Sequence, residues 1–436
     1  MRENYHRPKG TYDLLPYGQL EKERWRNISL WHKVEEEIRQ LTRKYCLEEI
    51  RTPLFERTEL FQRSSGEASD VVIKEMYNFL DRGDRALSLR PEMTASVVRL
   101  MQEEQLFHLL PLHRLFYLGP MFRYARPQSG RYRQFSQFGV EILGTRCIED
   151  EAELLQMIYA LLHSLGLGES CCFLVNSLGE ERGRKAYTEE LVKYLQNYQK
   201  DLSEESRRRL QLNPLRILDS KNPQDQQLLK EAPQIDSFFS SEENEHFHSL
   251  LTLLRQLSIP HRIEPRLVRG LDYYNGLVFE VVSSKQGAQS SLGGGGRYDA
   301  LFQKLGGKAH YGMGFSLGME RLIQALVEID SSLAPLTSMP RTLLVPLDRE
   351  GRAESLSLLG QLRLKGISCF SFYGAEKKME RALRFADRQK IRWVLFLGEQ
   401  ERERGEVQVK EMYSGKQFFT TREALPALLT RNEKRA

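Results

Sequence analysis

The segment MFRYARPQSGRYRQFSQFGVE, at 121–141, sets arginines among aromatic residues. The arginines are Arg123, Arg126, Arg131 and Arg133, and the aromatic residues are Tyr124, Tyr132, Phe135 and Phe138. Alternation along a strand would send Arg131 and Arg133 to one face. There, two planar guanidinium forks would converge on a polyphosphate, and an aromatic plane nearby would suit a purine. Taken alone, however, the segment fits a solvated basic hairpin or a general nucleic-acid patch better than a nucleotide site.

Polar residues suited to a small ligand occur in two further places. Gln137 and Glu141 lie one strand length beyond the arginines, and an amide with a carboxylate there would suit an ammonium group and a polar ring. The segment RLVRGLDYYNGLVFEVV crowds five polar residues around two glycines: Arg269, Asp272, Tyr273, Tyr274 and Asn275. Such residues are costly to bury unsatisfied, which is typical of the edge of a site, but ordinary cross-strand packing also explains the Asp-Tyr-Tyr run.

Two predicted helices carry the remaining candidates. In LRPEMTASVVR, at 89–99, a helix is expected to start near Glu92, with that carboxylate at its positive end and Thr94 or Ser96 as its cap. Arg321, in SLGMERLIQAL, lies on another predicted helix, where an arginine is usually solvated or paired with a neighbouring acid. Because no HExxH zinc motif occurs, we predict no protein-bound metal. The many arginines favour a phosphoryl chemistry that arginine stabilises.

Four consecutive glycines, Gly293 to Gly296, stand directly before Arg297. The surrounding residues match neither the phosphate-binding P-loop nor the dinucleotide-binding pattern. A flexible turn is the simplest explanation of the glycines. The alternative is an extended strand without side chains on one face, which would form the floor of a pocket.

Length and composition limit the class of protein. The 436 residues predict two to four domains, at roughly 100–200 residues each. The net charge of +5 is compatible with a nucleic-acid partner but too weak to establish one. Five cysteines without a Cys-x-x-Cys pair, a polar N-terminus and the lack of a long apolar run predict a cytoplasmic protein with no zinc site, secretory signal or membrane segment.

The elements that would position the candidates follow from periodicity. An apolar stripe over 28–45 predicts a helix, 111–144 is interpreted as two strands joined by a basic loop, and a helix is predicted over 151–162. The charge-rich residues 178–258 predict a helical insertion.

A Ser- and Pro-rich linker at 331–341 divides the chain into two predicted domains. Residues 1–330 contain all the candidate residues. Strands and helices alternate over 342–436, which predicts a small α/β domain with a mostly parallel sheet.

Taken together, the segments resemble the bacterial type of histidyl-tRNA synthetase, a family of class II aminoacyl-tRNA synthetases, nearly end to end. The segments similar to the class II motifs 1 to 3 are the first helix with Pro53, MFRYARPQSGRYRQFSQ and GMGFSLGMERL, and those similar to this family alone are LRPEMT, LVRGLDYYNG and NPLRILDSKNP. The resemblance implies an α+β class II catalytic core, with an antiparallel sheet flanked by helices and a helical insertion. It also implies a C-terminal α/β anticodon-binding domain and a homodimer.

The same resemblance implies roles for individual residues. The histidine-binding set would be Glu92, Met93, Thr94, Gln137, Glu141, Tyr273 and Tyr274, with Glu141 and Tyr274 reading the ring nitrogens. The ATP-binding set would be Arg123, Arg131, Tyr132, Arg133 and Arg321, and Mg²⁺ would accompany ATP. Arg123 and Arg269 would be catalytic, because they would neutralise charge as the histidine carboxylate attacks the α-phosphate. The implied partners are ATP, L-histidine, histidine tRNA and a second copy of the chain.

The sequence departs from the family's pattern at three positions. Ala125 stands where motif 2 usually carries Glu, which leaves the reading of the tRNA acceptor end open. Met93 replaces a common Gly, and Asn275 replaces a frequent Thr. We expect both of these changes to be tolerated.

Two other functions compete with the one that the resemblance implies. A regulatory subunit of ATP phosphoribosyltransferase would share the catalytic fold, but it would need neither the arginines nor the C-terminal domain. A plain RNA-binding protein would not explain Glu141 together with the Asp-Tyr-Tyr run. In the family's fold, the four glycines are interpreted as the pocket floor, so that a side chain introduced by Gly295→Val would fill substrate space.

Overall fold

The computed structural model describes residues 5–16, 21–66, 69–126, 130–284, 291–329, 342–372 and 379–430. Contacts divide the chain into two compact units, residues 1–335 and 336–436. The predicted linker at 331–341 lies outside the described residues, and so do residues 127–129 in the loop of the basic hairpin. Within the described ranges, no helix is both long and apolar enough to span a bilayer.

The helices and strands of both units are numbered in chain order. The strands are β1 (Glu48–Glu49), β2 (Phe55–Arg57), β3 (Tyr77–Leu80), β4 (Ala86–Leu89), β5 (His113–Phe122), β6 (Gln134–Leu143), β7 (Cys171–Ser177), β8 (His261–Ile263), β9 (Asn275–Ser283), β10 (Ser291–Arg297), β11 (Gly312–Gly318), β12 (Thr342–Pro346), β13 (Cys369–Ser371), β14 (Trp393–Leu397), β15 (Glu406–Glu411) and β16 (Gln417–Thr421). The helices are α1 (Ile28–Lys44), α2 (Thr58–Ser65), α3 (Thr94–Glu103), α4 (Ile148–Ser164), α5 (Glu181–Gln196), α6 (Glu204–Leu212), α7 (Pro223–Leu228), α8 (Ser241–Gln256), α9 (Leu301–Lys304), α10 (Met319–Ile329), α11 (Arg349–Leu364), α12 (Met379–Arg388), α13 (Glu399–Glu403) and α14 (Leu425–Thr430).

The first unit is built on an eight-stranded sheet of order β1-β5-β6-β11-β10-β9-β7-β8. The strands pair in parallel only at the two edges, β1 with β5 and β7 with β8, and the five pairs between them are antiparallel. The predicted antiparallel sheet flanked by helices is therefore confirmed, with a parallel strand added at each edge. A separate three-stranded sheet, of order β2-β4-β3, was not predicted.

Helices α1, α4 and α10 cover the large sheet through one shared apolar core. The predicted stripe of α1 is buried at Trp31, Val34 and Ile38. Asn27 caps this helix, because its side chain accepts a hydrogen bond of 2.8 Å from the backbone N–H of Ser29. These helices support the sheet whose strands carry several of the candidate residues.

Helices α5 to α8 form the predicted helical insertion. Helices α5 to α7 surround an apolar core that includes Tyr187, Leu191 and Leu195, whereas the buried leucines of α8 join the core of the large sheet. Asp225, on α7, is completely buried and accepts hydrogen bonds from the hydroxyls of three serines. The strand β7, directly before the insertion, was missed by the sequence analysis. Its side chains are buried on both faces, so the run shows no alternation between apolar and polar residues.

The C-terminal unit is a five-stranded sheet of order β13-β12-β14-β15-β16. Strand β12 pairs in parallel with β13 and β14, whereas β14, β15 and β16 are antiparallel neighbours. The predicted α/β architecture is confirmed, but only half of the strand pairs are parallel. The short helix α13 was not predicted.

The four consecutive glycines lie in β10, between β9 and β11. A β-carbon added at Gly295 would lie 2.0 Å from the carbonyl oxygen of Gly314, and one added at Gly293 would lie 2.1 Å from that of Ser316. The glycines are therefore required by the close approach of the neighbouring strands. The interpretation of Gly295 as a position where a side chain would fill substrate space is wrong, because that side chain would meet backbone.

We expect Gly295→Ala to destabilise the first unit by about 1–3 kcal/mol, because the new methyl group would force β10 and β11 apart. Gly83→Ala is the matched control, since a β-carbon there would meet side-chain atoms at 3.4 Å or more. Chemical denaturation of both variants would measure the difference. An unchanged free energy of unfolding in Gly295→Ala would contradict this packing argument.

Candidate active site

A cavity of about 280 Å³ in the first unit gathers most of the candidate residues. Its wall includes Glu92, Met93, Thr94, Arg123, Arg131, Tyr132, Gln137, Arg269, Tyr273, Tyr274 and Arg321. The candidates Arg133 and Glu141 are not part of this wall. Among the four glycines, only Gly293 lines the cavity, so the glycine strand contributes one edge of a floor and not the whole of it.

Two arginines that are far apart in the sequence, Arg123 and Arg321, line the same cavity. The Nε of Arg123 donates to the carbonyl oxygen of Pro91 at 2.8 Å, and its guanidinium carbon lies 5.5 Å from the ring centre of Phe135. Arg321 donates to the carbonyl oxygens of Ser291, at 2.7 Å, and Gly130, at 3.0 Å. Burial lowers the pKa of Arg321, and the positive charge of Arg131 acts in the same direction. Such crowding of cations favours a polyanionic ligand.

Arg269 lies over the glycine strand. One of its terminal nitrogens is 4.0 Å from a carboxylate oxygen of Glu280 on β9. A β-carbon at Gly294 would lie 2.7 Å from the same nitrogen, so the absent side chain makes room for the guanidinium. The Nε of Arg269 is buried and has no hydrogen-bond partner among the described residues. A buried donor without a partner is costly, and Arg269 lines the cavity, so a ligand that offers an acceptor there would be stabilised.

The predicted pairing of Arg131 with Arg133 on one strand face is wrong. The strand β6 begins at Gln134, so strand alternation does not apply to the two arginines. Arg131 lines the cavity, whereas the guanidinium carbon of Arg133 lies 3.8 Å from the ring centre of Tyr124. Arg133 therefore stacks on an aromatic ring outside the cavity wall.

Glu92 lies at the N-terminus of α3, on the other side of the cavity. It is 4 % exposed, and its two oxygens accept the backbone N–H groups of Thr94, at 2.7 Å, and Ala95, at 3.0 Å. Burial raises the pKa of Glu92, and these two N–H groups act against that rise. The expected position of Glu92 at the positive end of the helix is confirmed. Neither Thr94 nor Ser96 caps the helix with its side chain, because the cap position is Met93.

Glu141 lies directly behind the cavity wall, 1 % exposed. Its carboxylate accepts hydrogen bonds from the hydroxyl of Thr94, at 2.8 Å, and from that of Tyr298. A β-carbon at Gly314 would lie 1.9 Å from this carboxylate, so the glycine opens the space around it. Burial raises the pKa of Glu141 to about 8, against the effect of its hydrogen bonds.

Aromatic side chains complete this end of the cavity. The ring centres of Tyr273 and Tyr274 are 4.6 Å apart, and that of Tyr298 lies 5.9 Å from Tyr273. Asp272 and Asn275, the polar residues on either side of the tyrosines, do not line the cavity and form other hydrogen bonds. Asp272 accepts a hydrogen bond of 2.7 Å from the side chain of Asn213, and Asn275 donates to Asp299 at 3.1 Å.

Three residues of the site were missed by sequence reasoning. Tyr117 and Glu320 line the cavity, and Tyr298 hydrogen-bonds to Glu141 behind it. The polar run Arg297-Tyr298-Asp299 after the four glycines was a signal for Tyr298. Tyr117 gave none, because a tyrosine in an apolar strand is ordinary core.

The described side chains include no cluster of three or more His, Cys, Asp and Glu residues that would enclose a metal ion. Glu280, 26 % exposed beside Arg269, is a single carboxylate next to the arginines. Mg²⁺ commonly binds through one or two carboxylates together with substrate phosphates, and keeps several waters. The residues present thus fit an ion that arrives with a phosphate ligand.

Two family models match the chain. The model described as histidyl-tRNA synthetase matches residues 23–322, and the one described as anticodon binding domain matches residues 342–432. The first match covers every residue of the cavity.

Similar proteins match over nearly the whole length. The histidine–tRNA ligase of Protochlamydia amoebophila (strain UWE25) is 45% identical over 423 residues, which are 97% of this chain and 98% of that protein. The histidine–tRNA ligase of Bacillus subtilis (strain 168) is 40% identical over 433 residues, 99% of each chain. The crystal structure of apo S. aureus histidyl-tRNA synthetase superimposes with a TM-score of 0.80 at 34% identity, covering 98% of this chain and 100% of that one.

Proposed function

Because the chain belongs to the histidyl-tRNA synthetase family, we propose that its cavity joins L-histidine to ATP and that histidine then passes to its tRNA. The observation that supports this most is the meeting of opposite charges in one cavity. Guanidinium groups lie on one side of it, the carboxylate of Glu92 lines the other, and the carboxyl group of Glu141 lies directly behind the wall there. A zwitterionic amino acid and a triphosphate together require such a division.

The carboxylate side suits histidine. Glu92 lines the cavity, and its carboxylate would attract the α-ammonium group, with Thr94 and Gln137 beside it. Met93 would offer its backbone. Glu141 and Tyr274 would read the two ring nitrogens, and Tyr273 would close the pocket over the ring. A carboxylate and a phenol match a ring that presents two polar nitrogens.

The arginine side suits ATP. Arg123 would contact the α-phosphate, and Arg269 would lie opposite it. Arg131 and Arg321 would hold the β- and γ-phosphates, with Tyr132 beside them. Arg133 was also assigned to these phosphates; its stacking on Tyr124 supports a role in shaping the loop before β6.

The chemical step follows from these positions. A carboxylate oxygen of histidine attacks the α-phosphorus in line, the new P–O bond forms, and the bond to the β-phosphate oxygen breaks to release pyrophosphate. Negative charge grows on the non-bridging oxygens of the α-phosphate, where Arg123 and Arg269 neutralise it. Holding both substrates in one closed cavity removes much of the entropic cost of their encounter.

Mg²⁺, which accompanies ATP, would neutralise charge on the triphosphate. Glu280 is paired with Arg269 and does not line the cavity, so the phosphates and water would supply most of the ligands of the ion.

The remaining partners extend the same proposal. The C-terminal unit, which matches the anticodon-binding model, would bind the anticodon stem of histidine tRNA. We propose a homodimer, supported by the run of exposed apolar side chains at Leu109, Leu110 and Leu112 before β5, which a second copy would cover. A protein that charges tRNA is expected to work in the cytoplasm. The alternative of a regulatory subunit is not favoured, because the similar proteins are histidine–tRNA ligases over their full length.

ATP–pyrophosphate exchange tests the proposal. We expect the purified protein to exchange labelled pyrophosphate into ATP only when L-histidine is present. Other amino acids serve as controls, because they lack a ring that Glu141 and Tyr274 can read. A folded protein that binds ATP but shows no histidine-dependent exchange would refute the synthetase function and favour the regulatory one.

A further inference from the structure

The N-terminal segment of the chain lies behind the arginine side of the cavity. Tyr12 does not line the cavity, but it contacts two residues that do. Its hydroxyl donates a hydrogen bond to the carboxylate of Glu320, and its ring centre lies 4.9 Å from that of Tyr132. Tyr12 is therefore directly behind the wall that faces the phosphates in the proposed function.

Glu320 joins three parts of the chain at one carboxylate. It is 2 % exposed, and the oxygen that accepts from Tyr12 also accepts the backbone N–H of Ser136, on β6, at 2.7 Å. Glu320 itself lies in the first turn of α10, directly before Arg321. The carboxylate thus fixes the start of α10 against β6, and with it the origin of the Arg321 side chain.

Hydrogen bonds of neighbouring residues and a ring contact hold Tyr12 in place. The backbone N–H of Arg133 donates to the carbonyl oxygen of Gly10 at 2.7 Å, and Arg26 donates to that of Asp13 at 2.8 Å. The ring centre of Trp25 lies 4.9 Å from that of Tyr12 and 5.2 Å from that of Tyr132, so the three rings pack together. These contacts fix the segment on both sides of Tyr12.

The chemistry of the contact supports a role beyond packing. Burial raises the pKa of Glu320 to about 7, and the hydrogen bond from Tyr12 acts against that rise, as does the positive charge of Arg321. The hydroxyl therefore helps to keep the carboxylate ionised. A hydrogen bond to a charged, buried group is among the stronger ones in proteins.

We propose that Tyr12 is a positioning residue for the nucleotide half of the cavity. Acting through Glu320 and Tyr132, it holds Arg321 and the Tyr132 ring where the triphosphate binds. Tyr12 touches no substrate itself. The inference rests on the proposed function and adds to it a residue from a segment that carries none of the site motifs.

The test is Tyr12→Phe, which removes only the hydroxyl. We expect the dissociation constant and the KM for ATP to rise by roughly tenfold, the effect of one hydrogen bond to a charged group, with the KM for histidine unchanged. Tyr45→Phe is the matched control, because Tyr45 packs against the same apolar core at the end of α1 and lies outside the cavity wall. It should change neither constant.

A double-variant cycle tests whether Tyr12 acts on ATP binding through Glu320. Glu320→Gln removes the charge, and if Tyr12 acts through Glu320, the combined variant should bind ATP no more weakly than the worse single variant. Unchanged ATP binding in Tyr12→Phe, or equal losses for ATP and histidine, would overturn the inference. Because ATP binding is measured directly by calorimetry, a wild-type protein without exchange activity would refute the proposed function while the role of Tyr12 is still decided.

Discussion

Arg269→Ala is expected to lower the rate of histidine-dependent ATP–pyrophosphate exchange by about 10²- to 10³-fold, while histidine still binds. The reason is the position of the guanidinium beside Glu280 and over the glycine strand, with a buried Nε that no described residue satisfies. A donor prepared for charge that grows only in the transition state contributes to kcat more than to binding of the amino acid. Exchange kinetics with calorimetric histidine binding would separate the two effects.

Arg266→Ala is the matched control for this variant. Arg266 stands three residues earlier and is 45 % exposed, with a carboxylate of Glu264 at 3.9 Å. Its removal takes the same charge from the same segment but should leave exchange within about twofold, because an exposed ion pair contributes little. Near-normal exchange in Arg269→Ala, or equal losses in both variants, would exclude the charge-stabilising role.

Glu141→Gln is expected to raise the KM for histidine by about 10- to 100-fold and to leave the KM for ATP nearly unchanged. The carboxylate is held by Thr94 and Tyr298 behind the wall, at the end of the cavity away from the arginines. An amide of the same shape keeps the packing but loses the carboxyl group that would accept a hydrogen bond from an imidazole N–H. The ratio of the two KM values is the measurement that matters.

A buried carboxyl outside the cavity provides the control for Glu141→Gln. Glu151 on α4 is wholly buried and accepts a hydrogen bond of 2.9 Å from Arg297. Glu151→Gln also removes a buried charge, so it should affect stability without changing the ratio of the KM values. If Glu141→Gln raised both KM values equally, general misfolding would explain the result and the reading role would be wrong.

Glu141→Gln should also change how the stability of the protein depends on pH. The pKa of Glu141 is raised to about 8 in the folded protein, whereas an unfolded chain has a Glu pKa of about 4.3. The folded state therefore holds the proton more tightly, so stability is full below the unfolded pKa and is lost as the pH rises through about 8. Between about pH 5 and 8, the free energy of unfolding should therefore fall less in Glu141→Gln than in the wild type.

Site residues were predictable where their type was unusual for their surroundings. Arg269 and the Asp-Tyr-Tyr run stand at the entry to an apolar strand, and Glu92 follows a proline at the start of a helix. Packing alone does not explain polar residues at these positions. Their meeting in one cavity could not be predicted from spacing, because it depends on the pairing of β6, β10 and β11. The family resemblance provided that information.

The errors share a cause in local geometry. Counting alternate residues backwards from β6 placed Arg131 and Arg133 on one face, but Gly130 has a φ of +70° and the strand starts only at Gln134. Alternation holds inside a strand and fails in the turn before it. The contact of Tyr12 with Glu320 could not be predicted either, because the two residues are 308 positions apart and no local sequence pattern links them.

The order of the strands has a consequence for the protein on the ribosome. Strand β11, at 312–318, lies between β6 and β10, although both of those are synthesised earlier. Until β11 leaves the exit tunnel, the nascent chain carries two half-sheets, each with an open edge. Open edges are where strands of other chains attach. The strand that completes the binding cavity is thus also the one that ends the most aggregation-prone stage of synthesis, and it does so after nearly three quarters of the chain has been made.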